Sequence, residues 1–192
     1  MLLSPVMPTA PTSDIQPEVG TLFPPSVRAA RPPEQIAGRY LTFDLAGQRY
    51  GFEILDVREI VGLGHIVPLP RAPLAIRGVL DLRGKIIPVL DLRVRFGLDP
   101  AQPGEQSAII VLDYQCGPRR VTTGVLVDRV EESAAFDADA IVPVPEMGGR
   151  NDEVDFLLGV GKSAGGVVFL LDAARVLSTA RSPILSGFAG RP

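Results

Sequence analysis

Tryptophan is absent from this 192-residue chain, and histidine and cysteine occur once each. A lone Cys116 cannot form an internal disulfide and fits a reducing compartment. His65 has no second histidine and no paired thiol. A structural zinc site therefore lacks ligands, and a catalytic imidazole lacks an orienting partner. His65 is expected in a loop or in packing, and Cys116 as a free thiol. No strong positive balance exists either: 19 Lys and Arg stand against 22 Asp and Glu, for a net charge of −3, which is not the footprint of a nucleic-acid binder. No apolar run approaches the roughly 20 residues of a membrane helix, and the start lacks the cationic and apolar regions of a secretory signal. A cytoplasmic protein is the expectation.

What the chain does have is apolar material, 46% of it, enough for one large or two small cores. It is unevenly spread. Residues 1–37 hold eight of the 19 prolines among small polar residues, without alternation or helical period. Such a segment cannot repay its chain entropy by burial and reads as a proline-rich disordered tail. From Gly38 the pattern becomes that of short strands. Leu41, Phe43 and Leu45 alternate with polar residues, Ala46-Gly47-Gln48 interrupts, and Tyr50, Phe52 and Ile54 alternate again, predicting a hairpin with one buried face. Leu55–Gly62 reads as a helical turn or an irregular strand.

The most ordered stretch is Gly78–Phe96, where Val79–Leu82 and Ile86–Leu92 flank Arg83-Gly84. Two buried strands joined by a tight turn are predicted, with Pro88 at a sheet edge or bulge and a helical turn over Arg93–Leu98. Further strands are expected at Ala108–Tyr114, Val121–Val130, Phe156–Val160 and Val167–Leu171, with a short helix at Ala173–Leu177. A shift of 81 positions lays Gly78-Val79 on Gly159-Val160, Gly84 on Gly165, and Leu90-Asp91 on Leu171-Asp172. A weaker echo relates Gly51–Val57 to Gly124–Val130. Two related small barrels are the reading that this repeat supports.

Candidate chemistry is sparse. Gly159-Val160-Gly161-Lys162-Ser163 ends like a phosphate loop, but Phe156 stands where that motif needs glycine, and Ala164-Gly165-Gly166 leads into a strand instead of a helix. A hairpin turn is the better reading. Asp137 with Asp139 and Glu131 with Glu132 are read as surface charge. Arg71, Arg77, Arg83, Arg93, Arg95 and the Arg119-Arg120 pair are diluted by Asp81, Asp91 and Asp99 and have no aromatic ladder, so a nucleic-acid-binding small barrel is only a remote alternative. Isolated arginines at turns suit protein contacts. No catalytic residue, metal or cofactor is predicted.

Taken in order, the motifs resemble the CheW-like family. Tyr40-Leu-Thr-Phe-Asp-Leu45, Tyr50-Gly-Phe-Glu-Ile54 and Val57-Arg-Glu-Ile60 match its opening. Arg77-Gly-Val-Leu-Asp-Leu-Arg83-Gly-Lys-Ile-Ile-Pro88-Val-Leu-Asp-Leu-Arg93 matches its central signature. Gly124-Val-Leu-Val-Asp-Arg-Val130, Pro143-Val-Pro-Glu146, Leu158-Gly-Val160 and Leu170-Leu-Asp172 follow. The resemblance covers residues 38–178, flanked by tails at 1–37 and 179–192. It implies an all-β fold of two packed five-stranded, SH3-like barrels with short helices. It also implies a non-enzymatic adaptor that couples chemoreceptor cytoplasmic tips to the regulatory domain of a CheA-type histidine kinase. The place of work would be the cytoplasm, at receptor arrays reached through partners. By resemblance Val57, Glu59, Ile60, Gly78, Arg83, Gly124 and Val130 fall in the receptor-facing groove, and Val142 and Met147 near the kinase contact. Asp81 stands where the family more often has Asn. A same-fold adaptor in a non-flagellar pathway, for surface motility or second-messenger control, is the alternative.

Overall fold

The computed structural model describes residues 31–99, 101–144 and 155–177. Eleven strands and a few helical turns occupy them: α1 Pro33–Ile36, β1 Gly38–Leu45, β2 Gln48–Glu53, β3 Val57–Gly62, β4 Ile76–Leu82, β5 Lys85–Asp91, α2 Leu92–Arg95, β6 Ala108–Cys116, β7 Arg119–Val127, β8 Arg129–Phe136, β9 Ile141–Val142, β10 Leu157–Ser163, β11 Gly166–Leu171 and α3 Ala173–Leu177. They form a six-strand sheet in the order β8-β1-β2-β11-β10-β9 and a five-strand sheet in the order β3-β6-β7-β5-β4. Each sheet curls into a small barrel, so the two-barrel, mostly-β expectation holds, with one strand more than five on one side.

The repeat is visible in the hydrogen bonding as well as in the residues. Hairpins β4–β5 and β10–β11 share a register irregularity at matching places, between Ile76 and Gly78 in one and between Leu157 and Gly159 in the other. Each continues into a parallel pairing, Val89 opposite Gly124 and Leu170 opposite Gly51. Each ends in an aspartate that caps the next helix. Asp91 accepts from the Arg93 and Val94 N–H groups, and Asp172 from Arg175 N–H. The two-residue β9 matches a single bridge between Val67 and Val79 in the five-strand sheet. The chain also exchanges strands between the units: β3 follows the β1–β2 hairpin but joins the other sheet, and β8 makes the reverse crossing.

Three apolar clusters result. Leu80, Ile87, Val89, Ile109, Val111 and Leu126 fill the five-strand barrel. Ile36, Tyr40, Phe136, Ile141, Val168 and Leu170 fill the six-strand barrel. The largest, including Phe43, Phe52, Leu90, Ile110, Leu112 and Val125, draws on both sheets and cements the barrels together. This arrangement corrects the one-faced reading of the first hairpin. Tyr40 and Thr42 are buried along with Leu41, Phe43 and Leu45, because β1 has its own barrel on one side and the shared core on the other.

Two further expectations shift. Pro88 lies in β5, which is paired on both sides and is not an edge. It faces Val79, whose N–H and C=O are both spent on Val67, so the Pro88 nitrogen points away from β4 toward β7, and the β5–β7 pairing begins only at Val89. The stretch assigned to the tail includes α1, since Ile36 is only 3% exposed and its carbonyl accepts a buried hydrogen bond from the Tyr40 hydroxyl at 2.7 Å. Loss of that phenol's water contact pushes the Tyr40 hydroxyl well above its ordinary range. Leu55–Gly62 resolves to strand β3.

Candidate functional site

Arg83 and Gly84 form the β4–β5 turn, both with positive φ, at 53° and 81°. That pair is the signature of a two-residue turn whose twist matches the strands it joins. Asp81 Oδ1 accepts from Gly84 N–H at 2.7 Å and closes the turn. An asparagine side-chain oxygen can accept the same bond. The Asp81 carboxylate is thus committed to the backbone, and the partner of Arg83 is Glu59 on β3, 2.9 Å from the guanidinium. The Arg83 side chain is 81% exposed and that of Glu59 20%. The pair ties the turn to the other edge strand of its sheet and leaves the cation facing solvent.

Val57, Glu59 and Ile60 are brought together by β3, opposite Leu112, Val111 and Ile110 of β6. Ile60 shares its face with the inter-barrel residue Ile110 yet is 46% exposed. Val57 is half-buried against the shared core. Val130, expected beside it, stands in the other sheet opposite Phe43 and packs on the same core. A shift of 73 positions superposes Val57 and Val130, so the two valines are the equivalent edge residues of the two units. Gly78 and Gly124 are buried and present no side chain to a partner. A Cβ on Gly78 would strike the Val67 carbonyl, at a φ of 152°. A Cβ on Gly124 would lie 2.9 Å from Ile109 Cγ2 inside the five-strand barrel. These glycines shape the site from beneath.

Val142 is exposed on β9, opposite Val160, whereas Met147 lies outside the described residues. The face around Val142 continues through Val160 to Val167, which is 50% exposed. The repeat has an unanticipated consequence. The matching face of the five-strand barrel carries Val67, Val79 and Ile86, with Ile86 52% exposed. Both hairpins therefore turn an apolar outer face to solvent. At equivalent places in these faces stand Asp81 and Lys162, of opposite charge. The 81-position shift was the available signal for this second surface. Its exposure was not legible, because a strand buried on both faces and one buried on a single face can share the same residues.

The remaining motifs are structural. Gly159–Ser163 lies in the β10–β11 hairpin, as read, and a Cβ on Gly161 would meet the Phe136 ring at 2.6 Å. His65 and Cys116 are both exposed, and among the described residues no group of three or more His, Cys, Asp or Glu could hold a metal. Asp128 receives two hydrogen bonds from Arg93, at 2.8 and 2.6 Å, and one from Ala46 N–H. The Arg93 guanidinium holds that carboxyl below its ordinary range. In the repeat, Ala174 replaces Arg93, and burial together with the nearby Glu53 and Asp172 pushes the Asp56 carboxyl up.

The model of the CheW-like domain matches residues 39–181. The chain belongs to the CheW-like domain family. It is 32% identical to the chemotaxis protein CheW of Klebsiella aerogenes over 156 residues, covering 81% of this chain and 91% of that one. Protein FrzA of Myxococcus xanthus is 30% identical over 154 residues, covering 79% and 90%. Among solved structures, the scaffolding protein TtCheW from Thermoanaerobacter tengcongensis superposes with a TM-score of 0.65 at 30% identity, over 74% of this chain and 93% of that one. The CheW-like match thus spans both barrels and the hairpin that carries Arg83. No helix among the described residues is long and apolar enough to cross a membrane.

Proposed function

We propose that this CheW-like chain is a non-enzymatic chemotaxis adaptor that couples the cytoplasmic tips of chemoreceptors to a CheA-type histidine kinase. The observation that carries the reading is the pair of repeat-related apolar faces, one around Ile86 beside the Arg83 turn and one around Val167 on the other barrel. A coupler needs separate surfaces on one rigid body, because state passes through it as geometry. Here the shared core locks two barrels into such a body. Asp81 on one face and Lys162 on the other make the two faces electrostatically distinct, which favours different partners over a repeated one.

In this reading Val57, Glu59, Ile60, Arg83 and Val130 meet the receptor, with Gly78 and Gly124 supporting them from the interior. Val142, Met147 and the surrounding β9–β11 face meet the kinase regulatory domain. The adaptor reaches the membrane-associated array through these partners. The test is a ternary reconstitution with a receptor signalling fragment and the kinase. Arg83→Glu is expected to weaken the receptor contact while the kinase contact persists, and Val167→Asp to do the reverse. Loss of both contacts by either variant would overturn the separation of surfaces. Failure of the unmodified chain to bind either partner at micromolar concentration would overturn the coupling role.

A further inference from the structure

The two barrels differ at one end, and the difference exposes an acceptor site. In the six-strand barrel, Ile36 of α1 plugs the mouth formed by Phe136, Ile141 and Leu158. A Cβ on Gly159 would touch Ile141 Cγ2, the Val142 carbonyl and Ile36 Cδ1. At Gly78, its counterpart, the first two neighbours recur as Ile66 Cγ2 and the Val67 carbonyl. Thr42 faces Gly51 as Val111 faces Gly124, so the strand registers align Ile36 with Glu105, which is exposed. Phe136 aligns with Leu63, and Leu158 with Arg77.

A cleft of about 600 Å³ opens at this unplugged mouth. Leu63, Ile66, Leu74, Arg77 and Pro103 are among its lining residues, and none of the lining is acidic. Leu74 is 92% exposed. The site is thus an open cleft lined by aliphatic and proline side chains with one cation at its wall, placed like a mouth that elsewhere takes an aliphatic side chain from a Pro-Glu turn, Pro33-Glu34-Gln35-Ile36.

We propose that the occupant is the chain's own segment Asp14–Val19, which would fill in the five-strand barrel the place that Ile36 fills in the other. The segment reads Asp-Ile-Gln-Pro-Glu-Val, and Asp14 and Glu18 are the only acidic residues before Arg31. It brings a Pro-Glu pair flanked by the aliphatic residues Ile15 and Val19, and its carboxylates complement Arg77. From Val19 to Arg31, where the described chain begins, the backbone can extend about 40 Å. A domain of this size has a radius of gyration of about 15 Å, so a fully extended segment spans a distance comparable to its diameter. This inference stands apart from the coupling role, since it needs no partner.

The test uses the full chain with Cys116→Ser and a nitroxide at Gln16→Cys, read by methyl signals in NMR. The expected result is a selective loss of the Leu63, Ile66 and Leu74 methyl signals, recovered when the nitroxide is reduced, with Val168 and Leu170 unaffected. Arg77→Glu should abolish the loss, and Asp14→Lys with Glu18→Lys on that background should restore it. Leu74→Ser, at a fully exposed position that the fold does not need, should weaken the loss without unfolding the protein. No selective loss in the labelled chain would overturn the proposal. So would a loss that survives Arg77→Glu, or one seen only between labelled and unlabelled copies, which would place a second copy in the cleft.

Discussion

Arg83 and Glu59 lie 24 positions apart in the chain and 2.9 Å apart in the fold, one on the β4–β5 turn and the other on β3. The carboxylate is largely covered and the guanidinium is open to solvent. The pair therefore orients a cation for use more than it holds the barrel together.

Arg83→Glu sets two carboxylates against each other at that point. An exposed pair contributes little, so the urea midpoint should report a change within about 0.5 kcal/mol. Titration calorimetry with a receptor signalling fragment should show affinity weakened tenfold or more, or about 1.4 kcal/mol. Unchanged affinity would remove Arg83 from the interface.

Gly78→Ala and Gly124→Ala should act through the fold. A Cβ at Gly78 meets backbone at a left-handed φ, and a loss above about 3 kcal/mol is expected. Gly124→Ala overpacks the barrel against Ile109, at about 1–3 kcal/mol. Affinity measured for Gly124→Ala below its lowered melting temperature should return to the unmodified value. A binding defect in a fully folded variant would instead place Gly124 in the contact.

Arg93→Ala strips a part-buried carboxylate of its charged partner, for an expected loss of about 1–3 kcal/mol at pH 7. The folded-state pKa of Asp128 lies below 3.8. Its stabilisation is therefore complete above that ordinary value and disappears as pH falls through the depressed one. Denaturation curves across acid pH should show the variant and the unmodified chain converging at the acid end. A gap independent of pH would assign the loss to packing.

Asp56→Asn should stabilise. The folded-state pKa of Asp56 lies above 3.8, so the charged carboxylate opposes folding at neutral pH and the cost fades as pH falls. At pH 7 a rise in melting temperature is expected. The gain should vanish below the ordinary carboxylate range. A loss of stability at neutral pH would mean that the charge is paired.

Much of the fold is legible in the residues because short-range rules govern it. The alternation around Phe43 and Phe52, the Arg83-Gly84 and Ala46-Gly47 turns, and the 81-position repeat all depend on neighbours within a hairpin. The apparent phosphate loop at Gly159–Ser163 could be dismissed on the same local grounds. Of the edge or bulge expected at Pro88, the edge fails and a register irregularity lies one residue away, opposite Val89, because whether a missing N–H matters depends on which side the next strand lies. Ile36 gives no local sign of its burial, because four residues among prolines carry no periodic signal. Its burial comes from a barrel mouth assembled out of Phe136, Ile141 and Leu158, more than 90 positions away.

Local chemistry thus settles the strands, their turns, the doubling of the unit and the family to which the chain belongs. Tertiary structure alone decides that β3 and β8 trade sheets, that Val57 and Val130 become matching edges across one core, and that Glu59 is the partner of Arg83. The physical reason is that hydrogen-bond register and side-chain alternation act within a hairpin. Which barrel closes over which face is set by burying apolar surface between segments distant in the chain, and no window of residues contains that information.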